Sequence, residues 1–176
     1  MIVLKSILVP TNFSEKSEVA VRYGAALAAV FRAKLCVLHV VHETFAGDIA
    51  AAATLNMLNV ATQGASERLT SLLTADEKRA LASAADHVVR IGAPTVEIVE
   101  YAREHGVDLI VVATRGRGAV AHMLEGSVVE RLLRKAPCPM LVVRHPEHEF
   151  VLQADAAESA ARPGADRARE VIGQPA

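Results

Sequence analysis

A chain of 176 residues with 52% hydrophobic residues is long enough for one domain with a full core. Aromatics at 3% and the absence of Trp leave Val, Leu, Ile and Ala to fill it, the usual filling of a parallel sheet flanked by helices. A net charge of −1 excludes a general attraction to nucleic acid or anionic membrane, but it is uneven: residues 147–176 hold three Arg against six acidic residues, leaving the body near +2.

In chain order, "IVLKSILVP" (2–10) ends at Pro10 and reads as a first strand, not a signal peptide, since no small-residue cleavage site follows. Residues 14–33 read as a helix, with Ser14 as N-cap, Glu15 in the first turn, and Val19, Tyr23, Ala26, Leu27 and Val30 on one face. "LCVLHVV" (35–41) is a second strand. The Ala-rich residues 43–84 predict one long helix. "DHVVRIG" (86–92) is a third strand, and Pro94 then takes a favoured first position for the helix "TVEIVEYAREH". "VDLIVVA" (107–113) is a fourth, continuously apolar strand. Residues 127–136 predict a helix with Val128, Val129, Leu132 and Leu133 inward and Glu130, Arg131, Arg134 and Lys135 outward. "PMLVVR" (139–144) is the fifth strand. Beyond it the periodicity fades, so the reading is a domain over 1–145 and an acidic, mobile tail over 146–176.

Strands alternating with helices predict a single doubly wound, Rossmann-like α/β domain with a five-stranded parallel sheet and helices on both faces. Ligands of such sheets bind at the carboxyl ends of the strands, where the strand order reverses. The two cysteines, Cys36 and Cys138, sit far apart among apolar residues and read as buried small hydrophobes of a reducing compartment, with no CxxC metal spacing. No run reaches the length of a membrane span, so the expectation is a soluble, cytoplasmic protein that binds neither membrane nor nucleic acid.

The chemistry concentrates after the fourth strand, in "ATRGRGAVAHMLEGS" (113–127). No GxxxxGK[ST] loop is present. GxGxxA occurs formally over Gly116–Ala121, but after the wrong strand and without the acid that would hold a ribose. A longer spacing fits better: Gly116, nine residues, then Gly126-Ser127 at the mouth of a helix. Gly116 and Gly118 let the backbone approach a ligand. The first N–H groups of the helix and the Ser127 hydroxyl can meet an anion. Two or three charge-assisted hydrogen bonds at about 1.5–3 kcal/mol each hold a nucleotide at micromolar strength. The competing reading is structural: Ser127-Val128-Val129-Glu130 is also a capping box, and Arg115 and Arg117 are also ordinary loop charges. Thr11 and Asn12, polar groups after Pro10 on the same edge, tip the balance toward phosphate.

"KSILVPTNFSEKSEVAVRYGAALA", "LCVLHVV", "RIGAPTVEIVEYAREHGVDLIVVATRGRG" and "LEGSVVERLLRKAPCPMLVVR" together resemble the universal stress protein family over residues 3–144. The resemblance implies strand order 3-2-1-4-5, an adenine nucleotide alpha hydrolase-like fold, and a homodimer through the fifth strand (139–144). It implies the family's ATP-binding branch, whose pattern is Gly, two residues, Gly, nine residues, then Gly-Ser/Thr. The first glycine falls at Ala113, Gly116 is the second, and Gly126-Ser127 is the final pair. The first loop, often Pro-Thr-Asp in the family, is Pro10-Thr11-Asn12, which keeps the hydrogen-bonding shape without the charge. By the same resemblance Val40 lines an adenine pocket, and Val128 and Val129 meet phosphates through backbone N–H. Thr114, Arg115, Arg117 and Gly118 complete the site, with ATP or AMP as ligand, with or without Mg2+.

A hydrolase needs a general base or a metal-held water near the γ-phosphate. His39, His42, Glu43 and His122 are the candidates, and none has a partner at fixed spacing; His39 inside its strand reads as a packed core residue. The chain therefore reads as a nucleotide-responsive stress regulator that meets a protein partner, not as an evolved catalyst, slow ATP hydrolysis aside. The alternative is a dimeric stress-response interaction protein that binds no nucleotide.

Overall fold

The computed structural model describes residues 3–42, 51–114 and 128–144. Five strands form one sheet: β1 (Ser6–Thr11), β2 (Lys34–Val41), β3 (Asp86–Ile91), β4 (Leu109–Thr114) and β5 (Met140–Arg144). Every pairing is parallel and the order is β3-β2-β1-β4-β5, as expected for the family resembled. The order reverses at β1, which has β2 on one side and β4 on the other.

The helices are α1 (Glu15–Phe31), α2 (Ala51–Ser71), α3 (Ala75–Ala80), α4 (Pro94–Glu104) and α5 (Val128–Lys135). Alternation along the strands sends residues to two cores. Ile7, Val9, Leu35, Val37, Val111 and Val143 pack with α1 and with Leu69 and Leu73 from the α2 region. Leu8, Cys36, Leu38, Ile110 and Val112 pack on the other face with Ile98, Val99 and Ala102 of α4 and Leu132 of α5. In that second core the Cys36 thiol donates to the Tyr101 hydroxyl at 3.2 Å, and burial pushes the thiol up to about 11. Cys36 is buried as expected, whereas Cys138 is only half-buried.

Three expectations need correction. The single helix over 43–84 is two helices over the described part. Thr74 stops the run by capping α3: its hydroxyl accepts from Glu77 N at 3.2 Å, and the Glu77 carboxylate accepts from Thr74 N at 2.7 Å. The inner face of α1 holds Ser17, Ala20, Val21, Gly24, Ala25 and Ala28 beside the expected Ala26; Val19, Tyr23 and Leu27 pack half-buried against the first core, and Val30 is 67% exposed. A Cβ on Gly24 would stand 2.3 Å from a Val9 methyl, so α1 lies too close to the sheet for larger side chains. On α5 only Leu132 is fully buried and Leu133 is 57% exposed, because this two-turn helix offers the sheet a stripe one residue wide at that level.

The expected caps hold where they are described. Ser14 Oγ accepts from Ser17 N at 3.3 Å at the start of α1, and Pro94 stands in the first turn of α4. The expected tail over 146–176 lies outside the described residues.

Candidate nucleotide site

The two neighbours of β1 are held differently. With β2 it forms six registered pairs, Ser6↔Lys34 through Thr11↔His39. With β4 it forms two, Ile7↔Leu109 and Leu8↔Ile110. At its start β1 is stapled to the β4 side. The Asp108 carboxylate accepts from Lys5 N at 2.7 Å and Ser6 N at 3.0 Å, and Asp108 N donates to the Ser6 carbonyl at 2.9 Å. Since Ser6 turns its backbone groups toward β4, so do Leu8 and Pro10. The next pair in register, Val9 opposite Val111, needs a ladder bond from the N–H of residue 10. Proline has none, so the ladder ends there. The strand order reverses at this same gap, where open α/β sheets hold their ligands.

Beyond the gap the chain makes a dense turn. Thr11 is buried, and its hydroxyl lies 3.0 Å from Ser17 Oγ and accepts from Phe13 N at 3.0 Å. Ser17 Oγ donates to the Ser14 carbonyl at 2.8 Å, so Thr11 is the donor in its pair with Ser17. Asn12 is exposed; its Oδ1 accepts from Ser14 Oγ at 2.7 Å and from Ser14 N at 3.2 Å. Thr11 therefore builds the turn, and Asn12 is the residue it presents. The NH2 donors of Asn12 take no part in the turn's bonds.

Phe13 has φ +59°, the left-handed region that a bulky residue occupies at a cost of about 1–2 kcal/mol. Its ring packs against the first core, with the His39 ring centroid 4.4 Å away and the Arg68 guanidinium carbon 4.1 Å from its own centroid. His39 Nδ1 lies 2.8 Å from the Thr11 carbonyl, so β2 holds the same turn by a side-chain bond. His39 is half-buried at the rim of the fold and not sealed in the core as expected. Phe13, Ser17, His39 and Arg68 were absent from the sequence-based site. Phe13, next to Asn12, and Ser17, three residues after the cap, stood close enough in sequence to be found; His39 and Arg68 did not.

Of the other sequence-predicted residues, Ala113 and Thr114 are half-buried at the end of β4, opposite Val143 and Arg144 of β5. Val40, Val128 and Val129 all pack against the second core, which brings them to one face of the sheet. Ala113 packs on the other face. His42 is exposed just past β2. Arg115, Gly116, Arg117, Gly118, Gly126 and Ser127 lie outside the described residues, as do Glu43 and His122. Among the described residues, no group of three or more His, Cys, Asp or Glu could hold a metal ion.

Residues 4–144 match the model of the universal stress protein family. The chain belongs to that family. The universal stress protein MJ0531 of Methanocaldococcus jannaschii is 32% identical over 155 residues, covering 82% of this chain and 85% of the relative. The universal stress protein MJ0577 of the same organism is 27% identical over 159 residues, covering 81% of this chain and 96% of the relative. The solved structure of MJ0577 superposes with a TM-score of 0.70 at 26% identity, over 84% of this chain and all (100%) of that one. A crystal structure of a universal stress protein in complex with cAMP matches with a TM-score of 0.56 at 26% identity, over 81% of this chain and 98% of that one. The strand order and the Pro10 gap are thus described in a chain of this family. No helix among the described residues is long and apolar enough to cross a membrane.

Proposed function

We propose that this universal stress protein belongs to the family's ATP-binding branch. It binds ATP or AMP in the crevice between the carboxyl ends of β1 and β4 and acts as a nucleotide-responsive stress regulator. The observation that carries the reading is the early end of the β1–β4 ladder at Pro10, with Asn12 presented on one lip and Ala113-Thr114 on the other. From the second lip the chain runs into Arg115, Gly116, Arg117 and Gly118 and on to Gly126-Ser127, the spacing suited to phosphate. A related structure complexed with cAMP supports an adenine nucleotide as the ligand class.

In this reading Pro10 opens the crevice, Thr11 shapes its floor, and the Asn12 amide donates to the nucleotide. Val40 lies against the base, and the N–H groups at Ser127, Val128 and Val129 meet phosphate oxygens. Asn12 brings no carboxylate, so it neither repels phosphate nor binds a metal strongly. Mg2+ is accordingly carried on the phosphates when ATP binds. The domain spans 1–145, with 146–176 as an acidic tail, and the protein works in the cytoplasm.

A second reading draws on β5, an end strand of the sheet with Leu141 exposed. Such an edge suits pairing with a second copy through residues 139–144, and a dimer that binds only protein partners would need no nucleotide. Nucleotide released by denaturing the purified protein, followed by ATP titration of the stripped chain, separates the two. Adenine nucleotide near one per chain, or micromolar affinity lost in Gly126→Val while the dimer persists, supports the first reading. A chain that ignores millimolar ATP leaves the second.

A further inference from the structure

We infer that Phe13 is a positioning residue for the proposed nucleotide site, held by Arg68 of α2 and His39 of β2, and that this stack keeps the turn after β1 in the shape that presents Asn12. The inference rests on the nucleotide reading above, because it concerns the loop that would carry the ligand.

Phe13 is one of two non-glycine residues with positive φ among the described residues. The other, Arg32, ends α1, where a left-handed residue is commonplace. Phe13 ends nothing. Gly or Asn would adopt φ +59° with little strain, yet the chain places an aromatic ring there. What retains the conformation is the ring's surroundings: the Arg68 guanidinium at 4.1 Å, His39 at 4.4 Å and the first core beneath. His39 fastens the same turn a second time through the Thr11 carbonyl. Three segments far apart in sequence thus converge on one side chain, next to the only residue of the turn that is both amide-bearing and exposed. Strain held by an over-determined environment beside a ligand crevice is the pattern of a pre-organised loop.

Arg68 is exposed on α2, so it can be replaced without opening the core. Arg68→Gln removes the cation and keeps a helix-forming side chain. Arg68→Lys keeps a cation over the ring. We expect Arg68→Gln to weaken ATP binding by about two- to fivefold, the size of a surface cation–π contact, and Arg68→Lys to restore most of it. We expect Phe13→Gly, which permits the backbone but deletes the ring, to weaken ATP by about tenfold or more, the entropic cost of ordering a freed turn. In both weakened variants, amide hydrogen exchange at Phe13 and Ser14 rises above that of the natural chain. Natural-chain affinity and exchange in Phe13→Gly would overturn the proposal. So would an Arg68→Gln loss that is undiminished in the Phe13→Gly background, because the guanidinium would then act on the ligand and not through the ring. Should the natural chain ignore ATP, the proposed function fails by itself. The exchange measurement then decides the clamp alone: faster exchange in Arg68→Gln upholds it, and unchanged exchange overturns it.

Discussion

Strand β1 keeps β2 to its last residue and releases β4 after two pairs. Both neighbours are parallel, apolar and buried, so hydrophobicity does not distinguish the two sides. The difference is one backbone N–H. On the β2 side, residues that turn toward the neighbour can all donate, and His39 adds a side-chain bond to Thr11. On the β4 side the third donor in line is Pro10. A crevice at the switch point is thus written into the covalent chemistry of a single residue, and the polar turn after it has somewhere to face.

Four substitutions or conditions press on this contrast. The largest effect belongs to Leu8, fully buried and the last residue paired with β4. Leu8→Ala should cost about 2–5 kcal/mol in urea unfolding, enough to show that the open side is still anchored at its base. On the closed side, Cys36 links stability to pH. Burial raises its pKa in the folded chain from 9.0 to about 11, against the hydrogen bond with the Tyr101 hydroxyl, which lowers it. The folded chain keeps the proton that the unfolded chain loses. Stability is therefore whole below pH 9.0 and falls as the pH rises through about 11, by something on the order of 2–3 kcal/mol. In Cys36→Ala the part of the decline between pH 9 and 10 should be lost, while Tyr101, whose hydroxyl burial also holds above its ordinary 10.0, keeps the decline above it, as read from thermal melts at stepped alkaline pH.

Gly24→Ala comes next. The added methyl meets Val9, a stiff and fully buried neighbour on β1. Overpacking at about 1–3 kcal/mol outweighs the gain of nearly 1 kcal/mol in helix propensity, so a net loss of about 1 kcal/mol is expected in chemical denaturation. The smallest stability change belongs to Pro10→Ala. A regained ladder bond and the added freedom of the unfolded chain are each worth about 0.5–1 kcal/mol and oppose one another. Its melting temperature should hardly move, while ATP affinity falls as the crevice narrows. A variant that binds ATP as before would detach the ligand from the gap.

Much of this was legible beforehand. Five apolar runs of strand length, with Ser14 and Pro94 at helix starts, were enough for the parallel sheet. The break before α3 was legible too: Thr74 and Glu77 stand three apart, a capping box that Ala-rich flanks disguised. The faces of α1 and α5 were harder. A reading by periodicity favours large apolar residues such as Val30 and Leu133, whereas a helix lying close on a sheet needs Ala20, Gly24 and Ala28 inward. Pro10 was visible as a strand end, but its consequence depended on which neighbour it faced. The grouping of Phe13, His39 and Arg68 had no sequence signal, since it exists only once β2 and α2 are folded beside the turn.

Amide hydrogen exchange with and without saturating ATP tests the crevice most directly. Added protection over residues 9–14 and 111–114, with β3 and β5 unchanged, is the expected result. Protection confined to 140–144, or none anywhere, would contradict a nucleotide site between β1 and β4.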